Sequence, residues 1–401
     1  MNHTRPALVF CFFTALCEGF DVQTAGIAAG GIRAEFSASA LQLAWFFASS
    51  TIGLAIGAVV GGRGSDRVGR KPVLVWSLLL FGACSLLNAA APGIASLTAA
   101  RFLTGLGLGG AMPNMIALAA EVSAEHRRKT NVAIVFSAAP VGGLLTSVLG
   151  MLTGPAQWRW VFVIGGLLPL AVILTLARQV QESLEFSRQR QAAPAATTWL
   201  TVLDRRHAGC SLLLWAGFFL SLLTMYLLLN WLPTLLRGNG FSATQAALAQ
   251  ITLSVGGAAS MLAVSQLIES HWRKLTTLVV FSGVPVLITL LSRVNSATGA
   301  ASMLLVSSLL GAATMGCQAV LYALAPSLYP TLIRGVGVGI AVAAGRVGSI
   351  CGPLAVLWLT GGGPMSTGML IKLMPITAVC AASAVTLSFL VKEEPACGAR
   401  G

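Results

Sequence analysis

Four ionisable side chains stand inside stretches of sequence that are otherwise apolar: Glu18, Asp21, Arg101 and Arg346. Charge in such surroundings is expensive, and where it persists it marks binding, proton movement or an ion pair. Glu18 and Asp21 are three residues apart, so a helix places them on one face. Two carboxylates sharing a face in a low dielectric cannot readily both ionise. One of them would therefore hold a proton and could load and release it as its surroundings change. Arginine stays charged and grips a carboxylate through two parallel hydrogen bonds, so Arg101 and Arg346 are candidates for binding an anion or for pairing with the two acids. A static ion pair is the competing reading for Glu18, Asp21 and Arg101. Arg346, within Gly345-Arg346-Val347-Gly348, could instead bridge closely packed helices.

The elements that carry these residues are long apolar runs. The chain has 401 residues, of which 56% are hydrophobic and 9% charged, far below the roughly 25% charged residues of a soluble domain. Stretches of the length a membrane span requires recur near 7–29, 43–62, 72–91, 95–118, 130–151, 160–178, 208–236, 243–266, 275–292, 301–325, 335–359 and 370–391. Twelve spans divide as six and six about a polar interval. The expected organisation is an N-terminal bundle over 1–178, a linker over 179–207, a C-terminal bundle over 208–391 and a tail over 392–401. The first run holds Glu18 and Asp21 and ends in no small-residue cleavage site, so it reads as a retained helix and not a leader. At about 1.5 Å per residue, Asp21 and Arg101 fall roughly 11 Å and 9 Å from the same membrane face, close enough in level to pair.

The net charge of +13 would suggest nucleic acid in a soluble protein. With the N-terminus inside, however, 18 of the 25 Lys and Arg lie on the inner side and five on the outer, with Arg101 and Arg346 within spans. That asymmetry predicts both termini in the cytoplasm and no nucleic-acid partner. The eight cysteines show no metal spacing. All four histidines (His3, His126, His207 and His271) lie in cytoplasmic segments, which leaves no histidine relay inside the membrane. No nucleophile–base pair or phosphate loop appears, so an enzyme is not expected. Asn114, Tyr226, Asn230, Trp231, Gln318 and Tyr322 are polar or aromatic groups in spans 4, 7 and 10 that could stack on a ring and hydrogen-bond its substituents, although Trp and Tyr also gather at membrane interfaces. Gly53, Gly57 and Gly61 in span 2, and Gly345, Gly348 and Gly352 in span 11, have the spacing of close helix packing, and contact between the halves is a second use for them.

Two charged loops repeat at the same place in each half. Span 2 leads into Gly62-Arg63-Gly64-Ser65-Asp66-Arg67-Val68-Gly69-Arg70-Lys71, and span 8 into Glu269-Ser270-His271-Trp272-Arg273-Lys274. In each an acid precedes Arg and Lys by four and five residues. The first loop resembles the signature of the major facilitator superfamily. That resemblance implies two pseudo-symmetric six-helix bundles around a central cavity lined by helices 1, 4, 7 and 10, which rock about it. It also implies an inner gate latched by Asp66, Arg67, Arg70, Lys71 and Glu121, with Glu269 and Arg273 in a degenerate second copy.

Glu18-Gly19-Phe20-Asp21 resembles the helix 1 acidic motif of the aromatic acid:proton symporters. The surrounding stretch to Ile32, Arg101 to Asn114, and Asn230 to Leu236 are most similar to 3-(3-hydroxyphenyl)propionate transporters within that family. The resemblance implies roles for Glu18, Asp21, Arg101, Glu121 and Arg346. It implies proton-coupled uptake of an aromatic carboxylate, such as 3-(3-hydroxyphenyl)propionate or a hydroxybenzoate, across a bacterial inner membrane. Proton transfer is expected chiefly at Asp21, with no cofactor or metal and with the monomer as the working unit. One rival is a proton-driven efflux antiporter for drugs, but the fuller glycine signature of those proteins is missing before Pro140. A second is a non-transporting ligand sensor, for which the residues after Lys392 offer no output domain.

Overall fold

A computed structural model describes residues 4–124, 128–176, 180, 208–268, 270, 272–329, 334–360 and 367–390. Its long helices are α1 (Thr4–Phe36), α2 (Ala40–Val68), α3 (Arg70–Ala89), α4 (Ile94–Glu121), α5 (Arg128–Thr153), α6 (Arg159–Leu176), α7 (Ala208–Gly238), α8 (Ala243–Leu267), α9 (Arg273–Ser292), α10 (Ala300–Leu324), α11 (Arg334–Thr360) and α12 (Met374–Leu390). Among the described residues ten helical segments are long and apolar enough to cross a membrane, the tenth being Thr367–Thr386, which joins a 3-10 segment to the start of α12. In α5 and α6 the apolar stretches are shorter, Ser137–Thr153 and Arg159–Thr175. The twelve expected spans are therefore all helices. The largest departures are α1, which runs on to Phe36, and the last span, whose first residues form the 3-10 segment Thr367–Leu373. The expected linker, apart from Val180, and the tail lie outside the described residues.

Each half uses the same local devices. A Ser-x-x-Gln capping box opens the second helix of both: Ser39 with Gln42 before α2, and Ser242 with Gln245 before α8. The serine hydroxyl accepts from the third backbone N–H, and the glutamine carbonyl returns the bond to the serine N–H. In each half the first helix packs on the fifth and the second on the fourth (α1 on α5, α2 on α4, α7 on α11, α8 on α10). Glycine sets the spacing of these pairs. A Cβ on Gly53 would overlap the Phe102 carbonyl, on Gly142 that of Leu16, on Gly256 that of Ser308, and on Gly348 that of Phe219. The glycines of α2 and α11 thus pack helices within one half and do not form the contact between halves. Between α2 and α3, the expected charged loop is mostly helix. Only Gly69 interrupts it, at φ 113°, a conformation that favours glycine.

Short connections make successive helices antiparallel, so the bundle has two ends. The terminal end carries Thr4 and Leu390; the distal end carries Phe36 and Ala40. One apolar cluster joins distal residues of the first half, including Ala29, Phe46, Phe47 and Trp158, to Trp231, Leu235 and the core of the second half. At the terminal end the first half keeps a separate cluster of its own around Phe10, Leu78, Leu108 and Met115. The halves are therefore fused distally and part towards the termini. α1 meets α7, α2 meets α11 and α5 meets α8 along the seam.

Candidate functional site

Asp21 and Arg101 meet, as their estimated levels suggested. Arg101 donates from one terminal nitrogen to the Asp21 carboxylate at 2.5 Å and from the other to the Asp21 backbone carbonyl at 2.9 Å. Both side chains are 2% exposed. The sequence estimate of depth was too shallow for α1. Asp21 lies about 22 Å from the end of its helix and Arg101 about 10 Å from the start of α4, so α1 projects past α4 by some 10 Å at the distal end. The guanidinium of Arg101 also lies 5.9 Å from the Phe162 ring centroid. With its charge matched and its surface covered, this pair ties α1 to α4. Both members of the pair are covered in this state, and the second carboxylate oxygen of Asp21, the expected proton carrier, is buried without a hydrogen-bond partner.

Glu18 turns elsewhere. It is half-buried, as are Tyr226 on α7 and Arg346 on α11, while Tyr322 on α10 is 45% exposed. These four side chains are electrostatic neighbours, and the Tyr226 hydroxyl lies within hydrogen-bonding reach of the Arg346 guanidinium. They come from both halves and remain accessible because the seam opens at this level. Arg346 crosses it to donate to the Met112 sulfur of α4 at 3.0 Å. A thioether is a weak acceptor, so a carboxylate would compete for this guanidinium with ease. Tyr322 stands edge-on to Phe218, ring centroids 5.1 Å apart, which adds an aromatic wall. Glycine again decides where the acids point: a Cβ at Gly19, between Glu18 and Phe20, would overlap the Ala139 carbonyl of α5.

The other candidates divide. Gln318 is 5% exposed and donates to the Ser221 hydroxyl at 2.7 Å, while its own side-chain carbonyl oxygen is buried without a partner. Asn114 is 1% exposed and donates to the carbonyls of Gly110 and Gly61, so it locks α4 to α2. Trp231 is fully buried, donates to the Pro353 carbonyl at 3.0 Å and meets Phe47 edge-on across the seam. Asn230 donates to the Tyr226 carbonyl one turn back at 2.7 Å. Asn114, Asn230 and Trp231 therefore spend their N–H donors on packing contacts with backbone carbonyls. Their helical positions carried the right polarity but on faces turned towards neighbouring helices.

At the terminal end Arg70 lies 3.5 Å from Glu121 and donates to the Ser65 hydroxyl at 3.0 Å, joining the α2–α3 turn to the end of α4. Arg67 is exposed, Lys71 is half-buried, and Arg273 begins α9. The Asp66 side chain and Glu269 lie outside the described residues.

Sequence reasoning passed over the polar group that holds the halves together. Gln23 on α1 donates to the Ser254 hydroxyl of α8 at 2.7 Å and accepts from Ser147 of α5 at 3.1 Å. An amide inside an apolar span, two residues past Asp21, was the available signal. The distal clamp was also missed: Glu35 pairs with Arg159 and accepts from the Trp158 indole, while Arg159 donates to the carbonyls of Ala89 and Ala91.

Comparison with known proteins supports the assembly just described. The sequence profile of the Major Facilitator Superfamily matches residues 11–353. The chain is 41% identical over 344 residues to the 3-(3-hydroxy-phenyl)propionate transporter of Escherichia coli K12, a match covering 86% of this chain and 84% of that one. It is 32% identical to a gallate transporter of Pseudomonas putida, covering 94% and 90% of the two chains. It is 29% identical to the 4-hydroxybenzoate transporter PcaK of Pseudomonas aeruginosa, covering 97% and 93%. Among solved structures, a D-xylose-proton symporter superposes with a TM-score of 0.75 at 20% identity, over 98% of each chain.

Proposed function

This chain belongs to the Major Facilitator Superfamily, and we propose that within it the protein imports an aromatic carboxylate together with a proton. The chain is an integral membrane transporter and not an enzyme. The observation that carries the substrate class is the Arg346 group: an accessible, permanently charged fork held by a weak sulfur acceptor, with Tyr226, Tyr322 and Phe218 beside it. The fork would take the carboxylate and the rings would take the aromatic body. The named substrates of the relatives, hydroxyphenylpropionate, gallate and hydroxybenzoate, share that chemistry. Arg346, in place of Arg101, is the anion partner in this reading.

Proton coupling follows from the same group. Glu18 and a substrate carboxylate would compete for Arg346. When the substrate takes the guanidinium, Glu18 loses its counter-charge and holds a proton in its place. When the substrate leaves, the carboxylate returns to Arg346 and the proton is released. Glu18 therefore carries the proton, and the Asp21–Arg101 pair holds helix 1 in register against helix 4. The excess of basic residues at the terminal end supports a cytoplasmic position for that end, and in that orientation the seam is closed outwards and open inwards. Motion between two such states is a rocking of one half on the other. The turn around Asp66, with Arg67, Arg70, Lys71, Glu121 and, in the second half, Glu269 and Arg273, would latch the inner gate when it shuts. The monomer is complete for this cycle. Uptake of labelled 3-(3-hydroxyphenyl)propionate into vesicles carrying the protein, with and without an imposed pH gradient, tests the reading. Uptake should follow the gradient and fall with a protonophore. Indifference to both would remove the coupling, and no uptake of any aromatic acid would remove the substrate class.

A further inference from the structure

The distal end of the seam holds a second place for an anion, separate from the Arg346 group. A cleft there is lined by Gly26 and Gly30 of α1, Thr153 of α5, Trp158, and Thr234 and Arg237 of α7. Both halves contribute to it, and Arg237 is its single charged lining residue. Arg237 is exposed and lies in the last turn of α7. Its guanidinium leans across the seam on to α1, where a Cβ on Gly30 would overlap it. Among the described residues the one acid at this end, Glu35, is already held by Arg159 and the Trp158 indole. Below the cleft the path is shut, because Gln23 bonds Ser254 and Gly26 abuts the Leu229 carbonyl.

We propose that this cleft is an entry subsite for the substrate's carboxylate on the distal face. Arg237 takes the carboxylate, the hydroxyl of Thr234 donates to its second oxygen, and Ile27 and Pro233 cover the ring. A lone guanidinium among neutral hydroxyls suits a monoanion. In the closed state a solute arriving from this side goes no deeper, so the subsite holds it at the seam until the halves part. The inference rests on the aromatic-carboxylate reading above. Its rival is that Arg237 only complements the negative end of the α7 dipole.

The test uses the full chain in proteoliposomes of known orientation and 3-(3-hydroxyphenyl)propionate as probe. Arg237→Gln should raise KM for uptake from the distal face by about fivefold, the effect of losing one exposed charge-assisted contact, with Vmax retained. KM for efflux from the opposite face should stay fixed while its Vmax falls in proportion, as detailed balance requires. Arg237→Lys should recover most of the loss. An unchanged distal KM, an equal rise in KM on both faces, or a fall in thermal stability without a change in KM would each overturn the proposal. A wild-type protein that carries no aromatic carboxylate would remove the functional reading and this subsite's ligand together, and that result is visible before any variant is made.

Discussion

Replacing Glu18 with Gln should separate transport from accumulation. Glu18 is the carboxyl that reaches the open part of the seam beside Arg346, whereas Asp21 is 2% exposed and paired through one carboxylate oxygen with Arg101. The amide keeps the size of the side chain but cannot gain or lose a proton. An unaccompanied monoanion entering against an interior potential of −100 mV is opposed by about 2.3 kcal/mol, roughly a 40-fold bias against entry. A proton moving with it cancels that charge. One unit of pH gradient, worth about 1.4 kcal/mol, then supports about tenfold accumulation whatever the potential. Wild type and Glu18→Gln should therefore differ by about 400-fold in steady-state ratio when both gradients are imposed, the product of those two factors. The assay is labelled substrate in vesicles with pH and potential set independently, followed by counterflow with no gradient. Counterflow should survive in the variant, because Arg346 and the aromatic wall are intact. A Glu18→Gln protein that accumulates substrate as wild type does would refute the argument and return the proton to Asp21.

The buried pair makes a different prediction. Asp21→Asn or Arg101→Gln alone should destabilise the purified protein by about 3–5 kcal/mol, because each leaves a buried charge unmatched, and the double variant should lose less than the sum; additive shifts in thermal unfolding would show that the two residues are not coupled. Arg346→Gln should raise the substrate KM roughly tenfold or more, as expected for a lost charge-assisted contact, and Arg346→Lys should restore only part because an ammonium lacks the planar fork. An unchanged KM in Arg346→Gln would place the anion elsewhere. Gly348→Val should cost about 1–3 kcal/mol or block insertion, since the new Cβ meets the Phe219 carbonyl and backbone cannot yield as a side chain can; normal unfolding of that variant would contradict the close contact of α7 and α11.

Much of this architecture was legible because the bilayer imposes it. Span length and the distribution of Lys and Arg are one-dimensional signals, and all twelve expected spans are helices. The level of Asp21 with Arg101 could also be estimated from helical rise alone, and the pair forms even though α1 proved longer than expected. What sequence could not supply was rotation about each helix axis. Asn114, Asn230 and Trp231 have the polarity of ligand contacts, but their side chains face neighbouring helices and bond backbone carbonyls. Glu18 and Asp21 were correctly put on one side of α1, yet three residues along a helix suffice to send one acid to α4 and the other to the seam with α11. The Ser-x-x-Gln boxes of α2 and α8 were a readable sign of the internal repeat, stronger than the charged loop of the second half.

The distribution of glycine explains why the halves should move as units. Inside each half, helices approach backbone to backbone: Gly19 at Ala139, Gly53 at Phe102, Gly256 at Ser308 and Gly348 at Phe219. Contacts of that kind have no side chain to rearrange, and sliding one helix past another would drive Cα against carbonyl. Across the seam the contacts are mostly of another kind. Gln23 meets Ser254, Phe47 meets Trp231, and Arg346 meets Met112, all through side chains that can rotate away. The close approach of Gly26 to Leu229 also crosses the seam, but it is van der Waals contact and its loss leaves no polar group exposed without water. Opening the distal end therefore breaks the Gln23–Ser254 hydrogen bond and separates an aromatic pair, while each half keeps its internal packing. A hydrogen bond exchanged for water changes stability by only about 1 kcal/mol, so the closed state is held mainly by the apolar cluster that joins the halves distally, and that burial is what substrate binding must offset. The free energy that keeps each bundle rigid and the free energy that keeps the gate shut thus reside in different contacts, and rocking of two bodies about a central site is the motion this packing permits.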